Sequence, residues 1–374
     1  MPPDSGVAFV VVQHLAPTHT SMAAEIFSRF TSMPVREAEN GVLIEANHVY
    51  TSPSDQDVAM VNGRLQLSPR DPAVRISLPI DRFFSTMGPA CGPRAIGIIL
   101  SGTGSDGSEG AKVISAHGGA VLVQKPETAE YDGMPRSAIA TGVANYVLAV
   151  AQMPKVIGSY AQHPYVAGPQ QDATPDDQNS GILGVIQIIK TKRGHDFSGY
   201  KRGTLVRRIE RRMGLLGILR HAEYAALLKT NAREVDALFK DLLIGVTDFF
   251  RDMEAWKALE TQAITPLVSS KLPDEPIRIW IPGCSTGEEA YTMAMVLLDR
   301  LRRTHKHCPV QIFATDTNNE ALEVGRVGRY PVGIAGKISP TRLRRYFDAA
   351  PERQYFTVKE ELRKCVVFGD SAKS

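Results

Sequence analysis

Short unbroken apolar runs dominate the N-terminal part of the chain. The segments 7–12 (VAFVVV), 95–100 (AIGIIL) and 120–123 (AVLV) show no alternation of apolar and polar positions. Runs of this kind are typical of strands buried on both faces of a parallel sheet. Helical and turn-rich segments separate them, so residues 1–162 are predicted to form a doubly wound α/β domain. Its functional loops are expected at the carboxyl ends of the strands.

The pattern becomes helical between residues 181 and 262. Leu205, Ile209 and Met213 recur at every fourth position, as on the buried face of a helix. A linker over 163–180, rich in Pro, Gln, Asp and Asn, precedes this segment. Residues 181–262 are therefore predicted to form a small all-helical domain. The other face of the same helix carries four arginines, which are Arg207, Arg208, Arg211 and Arg212.

These arginines have two interpretations that the sequence leaves open. They form either an ordinary solvated charged face or a cationic surface for an acidic partner. Nucleic acid is a weaker third candidate, because no aromatic side chains suited to stacking are interleaved and no binding motif is present.

A strand–turn–helix–strand pattern returns in residues 263–374. The apolar run 277–281 leads into a turn with Gly283 and Gly287, and the next helix opens on two acids. A second apolar run, 310–314, ends near Asp316, and a third lies at 365–368. The pattern predicts a Rossmann-like domain. Three strands make only half of a doubly wound sheet, so this domain is expected to be C-terminally incomplete.

Length and composition limit the classes of protein to which the chain can belong. A length of 374 residues favours two or three domains. No apolar run is long enough to span a membrane, and no secretory signal is visible. The cysteines show neither metal-ligand nor disulfide-framework spacing, so we expect no metal site and a reducing, cytoplasmic location; they are Cys91, Cys284, Cys308 and Cys365.

Two polar residues follow apolar runs of the first domain. His14 follows the first run, and Asp106 lies in the glycine-rich segment SGTGSDGSEG after the second. Taken singly, each is better explained as a turn residue. Together, at the ends of neighbouring strands, they resemble the base and orienting acid of an acyl-transfer triad. No serine in this segment lies on a strand–turn–helix arrangement that would make it the nucleophile.

The turn in the third domain supports either a hydrolase or a cofactor site. Gly283, Ser285 and Gly287 form G-x-S-x-G, the pattern of a serine hydrolase elbow. A hydrolase would need a histidine after the acid, and none follows Asp316. The cofactor interpretation accounts for Glu289 and Asp316 as acceptors for an amino group and ribose hydroxyls, and we favour it. Thr247 and Arg251 lie four residues apart upstream, a spacing at which two side chains can share a helical face.

The segments VVVQHLAPTHTS, LPIDRFF, AIGIILSGTGSDGSEG and ETAEYDGMPRSAIATG resemble the chemotaxis receptor methylesterase domain (CheB type) over about residues 1–155. The resemblance implies that His14 is the general base and Asp106 its partner. The family's nucleophilic serine lies in a G-x-S-x-G-G turn after the family's first strand, and we expect this sequence to begin after that point. We therefore expect no methylesterase activity from the 1–165 segment by itself.

The segments SGYKRGTLVRRIERRM, LLIGVTDFFRD, PGCSTGEEAYTMAM, FATDTNNEALEVGRVGRYP and ISPTRLRRYF resemble the chemotaxis receptor methyltransferase family (CheR type) over residues 182 to about 368. The resemblance implies S-adenosylmethionine-dependent methylation of receptor glutamates. It places the catalytic Arg251 with Thr247 at the methionine end of the cofactor, Glu289 by its amino group and Asp316 on the ribose. The arginine helix would face acidic methylation helices of a chemoreceptor.

The whole chain thus resembles the CheB/CheR hybrid signalling proteins, shortened at both ends and expected to be impaired in both reactions. Two alternatives from other classes remain at this point. One is a non-catalytic adaptor that binds receptor or cofactor, and the other is a serine hydrolase that uses Ser285. Under the favoured interpretation we expect a chemoreceptor partner, no nucleic-acid partner and no insertion into a membrane.

Overall fold

A computed structural model describes residues 1–14, 22–70, 77–168, 175–243, 245, 247–349 and 355–371, with backbone only at 175–180. The chain divides into two units, Met1–Leu242 and Leu243–Ser374. In the described ranges, every helix is too short or too polar to cross a bilayer.

The first unit begins with a mixed α/β region. Its described strands are β1 (Phe9–Val11), β2 (Val35–Glu37), β3 (Val42–Leu43), β4 (Val49–Thr51), β5 (Gln56–Val61), β6 (Arg64–Pro69), β7 (Ile96–Ile99), β8 (Ala120–Gln124) and β9 (Tyr146–Leu148). The helices of this region are α1 (Ala23–Ser28), α2 (Pro79–Cys91), α3 (Ser108–Ala116), α4 (Gly133–Ala140), α5 (Met153–Gln162) and α6 (Pro164–Ala167).

The three apolar runs of this region are strands, as predicted, and two of them lie in one sheet. Strands β7, β8 and β9 form a parallel sheet, in which Val121 and Val123 are fully buried. The prediction that β1 neighbours β7 is wrong for the described residues. β1 instead pairs with β4 in a separate parallel sheet of order β1-β4-β2.

Strands β5 and β6 form an antiparallel hairpin that was not predicted from the sequence. Asn62 and Gly63 form its tip with φ of 48° and 75°, the left-handed backbone that a two-residue hairpin turn requires. The dipeptide Asn-Gly between apolar runs was a readable signal for this hairpin. Strand β3 pairs with β6 and completes the sheet.

The described helices of the rest of the first unit are α7 (Pro175–Arg193), α8 (Arg202–Leu216), α9 (His221–Thr230) and α10 (Ala232–Leu243), whose last residue belongs to the second unit. Leu205, Ile209 and Met213 of α8 are buried, as the four-residue spacing predicts. Leu215 of the same helix packs in one apolar cluster with Ile157 of the α/β region. The all-helical segment therefore shares a core with the α/β region.

The start of the predicted linker is structured. The Tyr165 hydroxyl donates a hydrogen bond to the Gly118 carbonyl at 2.9 Å, and the His163 ring nitrogen Nε2 lies 2.9 Å from the Ile218 carbonyl oxygen. Residues 163–168 thus contact both the α/β region and the loop after α8. The part of the linker at 169–174 lies outside the described residues.

The second unit starts with α11 (Met253–Leu259), a π-helical turn (Glu260–Ile264) and α12 (Thr265–Ser270). Ile264 and Val268 belong to its core. For this reason the division between the units falls after Leu242, earlier than the predicted domain boundary after residue 262.

In the described part of the second unit, three parallel strands form the central sheet, as predicted from its apolar runs. They are β10 (Ile277–Pro282), β11 (Val310–Asp316) and β15 (Val366–Asp370), in the order β10-β11-β15. Helix α13 (Glu288–Arg303) connects β10 to β11, and α14 (Asn319–Val327) follows β11. A small antiparallel sheet, which was not predicted, contains β12 (Arg329–Pro331), β13 (Phe347–Ala349) and β14 (Tyr355–Val358). Helix α15 (Pro340–Tyr346) lies between β12 and β13 in the chain, and α16 (Glu360–Arg363) follows β14.

Candidate cofactor and acid–base sites

A glycine turn joins β10 to α13. Gly283 and Gly287 have φ of 71° and 92°, a left-handed backbone that glycine adopts without strain. Among the described residues other than its two chain neighbours, none has an atom within 4 Å of the position that a Gly283 Cβ would take. The turn leads into the N-terminus of α13, where the helix dipole favours electron-rich ligand atoms. The backbone at this point is open to a bound molecule.

The Asp316 carboxylate holds this turn from the end of the neighbouring strand β11. One of its oxygens accepts a hydrogen bond from the Ser285 N–H at 2.7 Å, and the other accepts one from the Asn318 N–H at 2.8 Å. Ser285 is a non-glycine residue with φ of 48°, so its strained backbone depends on such contacts. Carboxylate oxygens accept more than one hydrogen bond each, so the half-buried Asp316 retains capacity for ligand hydroxyls.

Only one of the two acids at the start of α13 faces solvent. Glu288 is buried and accepts a hydrogen bond from the Thr286 hydroxyl at 2.5 Å. Glu289 is exposed. Of this pair, Glu289 is therefore the acid that a ligand amino group can reach.

Ser285 is poorly placed to act as a hydrolase nucleophile. Its side-chain oxygen lies 3.4 Å from the Gly245 carbonyl oxygen, to which it donates, and it has no histidine partner among the described residues. Burial and the negative charge of Asp316 raise the pKa of the adjacent Cys284 thiol to about 12. The geometry of the turn favours the cofactor interpretation over the hydrolase interpretation.

Thr247 and Arg251 do not share a helical face, contrary to the sequence prediction. None of the residues 247–252 is helical; 249–250 form a turn and 252 a bend, with φ of 51° at Phe250 and 60° at Asp252. A helix cannot continue through left-handed backbone at a non-glycine residue. The two side chains therefore lie on a loop that ends where Asp252 caps α11, through its carboxylate and the Ala255 N–H at 3.3 Å.

The first unit brings His14 and Asp106 together, although their strands lie in different sheets. The His14 Nε2 atom is 2.8 Å from an Asp106 carboxylate oxygen, and His14 is half exposed whereas Asp106 is buried. Asp106 also accepts hydrogen bonds from the backbone N–H groups of Ile80, Asp81 and Gly107 at 3.0, 2.8 and 2.9 Å. A carboxylate fixed in this way can orient an imidazole that takes up a proton.

Family models match three consecutive parts of the chain. A CheB methylesterase model matches residues 1–157, the all-alpha domain of CheR methyltransferase matches 183–243, and the SAM binding domain of CheR methyltransferase matches 245–372. The chain is a CheB/CheR hybrid. The glycine turn and Asp316 lie in its CheR SAM-binding domain, and the His14–Asp106 pair lies in its CheB domain.

Several proteins are similar to the hybrid. An uncharacterised 104.1 kDa protein of Rhodobacter capsulatus is 34% identical over 366 residues, which are 92% of the hybrid and 38% of that protein. A protein-glutamate methylesterase/protein-glutamine glutaminase of Myxococcus xanthus is 34% identical over 157 residues, 41% of the hybrid and 46% of that protein. The hybrid therefore spans less than half the length of these two relatives.

A solved structure, the CheB methylesterase catalytic domain of Thermotoga maritima, is 30% identical to the hybrid. The match covers 42% of the hybrid and 86% of that chain, with a TM-score of 0.40.

The prediction of a cationic surface on α8 is wrong for three of the four arginines named for it. Arg208, Arg211 and Arg212 are 5%, 0% and 9% exposed, and only Arg207 faces solvent. The Arg212 guanidinium forms a bidentate pair with the buried Glu234 carboxylate at 2.9 and 2.6 Å. The regular four-residue apolar spacing gave no sign that the opposite face is also covered.

Two of these arginines attach the CheR all-alpha domain to the CheB domain. Arg208 donates to the carbonyls of Ser115 and Ala116, at the end of α3, at 3.3 and 3.5 Å. The Arg211 Nη2 atom donates to the Gly119 carbonyl at 2.8 Å and to the Asn145 amide oxygen at 3.0 Å. In this conformation, both side chains are occupied by protein groups and are not available to a receptor.

The buried Asp81 carboxyl group makes the stability of the CheB domain depend on pH. Its carboxylate accepts the Gly110 N–H at 2.7 Å. Burial and the charge of Asp106 raise its pKa from 3.8 to about 8. Between these values the folded chain keeps a proton that the unfolded chain has lost, so the free energy of unfolding falls as pH rises from about 4 to about 8.

Asp81→Asn should remove most of this pH dependence, because asparagine is neutral and retains an acceptor for Gly110. Urea unfolding followed by circular dichroism should show the variant more stable than the wild type at pH 8 by about 1 kcal/mol or more, with the difference shrinking towards pH 4. The exposed Glu130 supplies the control, Glu130→Gln. A constant offset between Asp81→Asn and wild type across this range would contradict the prediction.

Proposed function

We propose that the hybrid transfers methyl groups from S-adenosylmethionine to glutamate side chains of a chemoreceptor in the cytoplasm. Its CheB domain would supply the base and the orienting acid for hydrolysis of the methyl esters so formed, but not the serine nucleophile. The observation that carries the proposal is the Asp316 carboxylate. It anchors the glycine turn through Ser285 and keeps acceptor capacity beside backbone that is open to a ligand. The match to the SAM binding domain over 245–372 supports it.

The residues around the turn fit the parts of this cofactor. Asp316 would accept hydrogen bonds from the ribose hydroxyls, and the exposed Glu289 would accept from the amino group. Thr247 and Arg251 would meet the methionine end, with Arg251 also placed to bind the carboxylate of the methyl acceptor. When bound, S-adenosylmethionine would supply an electrophilic methyl group, whose carbon a carboxylate oxygen can attack while the C–S bond breaks and the thioether leaves. The protein's main contribution to such a transfer is alignment.

In the CheB domain, His14 would act as the general base for ester hydrolysis. Asp106 holds the imidazole at 2.8 Å and is itself held by three backbone N–H groups. The base is thereby oriented before substrate arrives. The receptor partner would present acidic methylation helices, and Arg207 is the exposed member of the four arginines assigned to receptor binding that could contact them.

The test is methylation of a receptor cytoplasmic fragment with S-adenosylmethionine labelled on its methyl group. We expect label in the fragment that alkali releases as volatile methanol, because esters hydrolyse in alkali whereas methylated amines do not. A fragment with its candidate glutamates changed to alanine is the control. Cofactor binding by calorimetry without any transfer would favour a non-catalytic adaptor, and absence of both binding and transfer would overturn the proposal.

A further inference from the structure

The loop that carries Thr247 and Arg251 has a backbone that it would not adopt alone. Phe250 and Asp252 both have left-handed φ, and neither is glycine. Such conformations persist only where the surrounding structure fixes them. The contacts of Phe250 therefore decide whether the loop keeps its shape.

Helix α13 supplies the first of these contacts. The Phe250 N–H donates to the Thr292 hydroxyl oxygen at 3.3 Å, and the same hydroxyl donates to the Glu288 carbonyl at 2.7 Å. The Phe250 ring is buried and meets Trp256 edge-on, with ring centroids 6.2 Å apart. The loop is thus attached to the helix that begins at the glycine turn.

Arg342 of α15 covers the Phe250 ring. Its guanidinium carbon lies 4.7 Å from the ring centroid, the arrangement of a cation–π contact. The Arg342 Nε atom donates to an oxygen of Asp299 at 2.8 Å. Asp299 is buried on α13, where its other oxygen accepts from the Tyr346 hydroxyl at 2.7 Å.

Asp299 carries the charge that holds Arg342 in place. Burial opposes ionisation of Asp299, but hydrogen bonds from Arg342 and Tyr346 outweigh that effect, and the pKa of the carboxyl lies below its ordinary value. An ionised partner fixes the guanidinium plane in orientation as well as in position.

A second contact holds the loop from the segment before α15. The Asp248 carboxylate accepts the Phe249 N–H at 2.9 Å and forms an ion pair with Lys337. Phe249 packs edge-on against Tyr330, with ring centroids 4.9 Å apart. Residues 337–342 therefore contact the loop on both sides of Phe249.

We propose that Arg342 is a positioning residue of the methyltransferase site, and that the chain of contacts Asp299–Arg342–Phe250 holds the Thr247–Arg251 loop in its binding conformation. The inference rests on the proposed function, because it gives the loop a cofactor to bind. Asp299 and the glycine turn lie at opposite ends of α13. This chain of contacts thus links the loop to α13, the helix that begins at the glycine turn.

Removal of the guanidinium should loosen the loop without unfolding the unit. In Arg342→Ala, hydrogen exchange of the amides in 247–252 should become faster, while exchange in β10 and β11 stays unchanged. Calorimetry should show binding of S-adenosylhomocysteine weakened by roughly tenfold. Arg344→Ala is the matched control, since Arg344 is an exposed arginine of the same helix, and we expect wild-type values for it.

Conservative variants separate positioning from general stability. Arg342→Lys keeps a cation for Asp299 and the ring and should restore much of the affinity, whereas Phe250→Leu keeps apolar packing but loses the ring and should resemble Arg342→Ala. Equal affinity and equal loop exchange in Arg342→Ala and Arg344→Ala would overturn the inference. If the wild type binds no cofactor, the proposed function fails, and unchanged loop exchange in Arg342→Ala would then overturn the inference separately.

Discussion

Asp316→Ala should abolish measurable S-adenosylmethionine binding. The substitution removes the proposed ribose acceptor and, at the same time, the partner of the Ser285 and Asn318 N–H groups. Each hydrogen bond to a charged group contributes about 1.5–3 kcal/mol, so loss of the ribose contacts alone should weaken binding by about a hundredfold or more. Relaxation of the strained Ser285 backbone should weaken it further.

Calorimetric titration of the wild type and the variant measures this effect. Glu323→Ala is a suitable control, because Glu323 is exposed on α14 and pairs only with the neighbouring Arg326 in the described contacts. It should bind as the wild type does. Asp316→Asn adds a second comparison, since its amide nitrogen would face an N–H donor and should also reduce affinity. Wild-type affinity in Asp316→Ala would contradict the assignment of the site.

The cofactor side of the second unit was predictable because local patterns specify it. Unbroken apolar runs marked β10, β11 and β15, and glycines marked a turn whose backbone only they adopt easily. An acid at the end of β11 then had to face that turn, because parallel neighbouring strands end at the same edge of a sheet. The contact between Asp316 and Ser285 follows from these rules.

Other features depend on contacts that no local pattern contains. Phe250 has left-handed backbone and contacts Thr292 and Arg342, which lie far along the chain. The four-residue separation of Thr247 and Arg251 therefore wrongly suggested a helix. The strands of the small antiparallel sheet span only three or four residues each and carry too short a pattern to recognise. The roles of the named site residues towards cofactor and receptor remain predictions.

Helix α8 shows most clearly that contacts distant in the chain cannot be predicted from local sequence. Arginine in a sequence favours a solvent-facing position, and the carbonyl groups that make its burial tolerable belong to segments nearly a hundred residues away. Arg211 donates to the Gly119 carbonyl through Nε and Nη2, at 3.1 and 2.8 Å, and Nη1 pairs with Asp241 at 2.6 Å. A buried cation that satisfies several acceptors contributes to how the two domains are held together.

Arg211→Ala should therefore destabilise the first unit strongly. The side chain is fully buried, and its removal leaves the buried Gly119 carbonyl and the partly buried Asp241 carboxylate without this donor. Breaking a buried ion pair from one side typically costs about 3–5 kcal/mol. Urea unfolding of the full chain, followed by circular dichroism, should show a loss of this size in the transition of the first unit.

Arg207→Ala provides the matched control, because Arg207 lies on the same helix with an exposed side chain. It should change stability by less than about 0.5 kcal/mol. Arg211→Lys should fall between the two, since an ammonium group can reach one or two of the acceptors but cannot reproduce the planar set of donors. If Arg211→Ala were no less stable than Arg207→Ala, the attachment of the all-alpha domain would have to come from apolar contacts such as Leu215 with Ile157 instead.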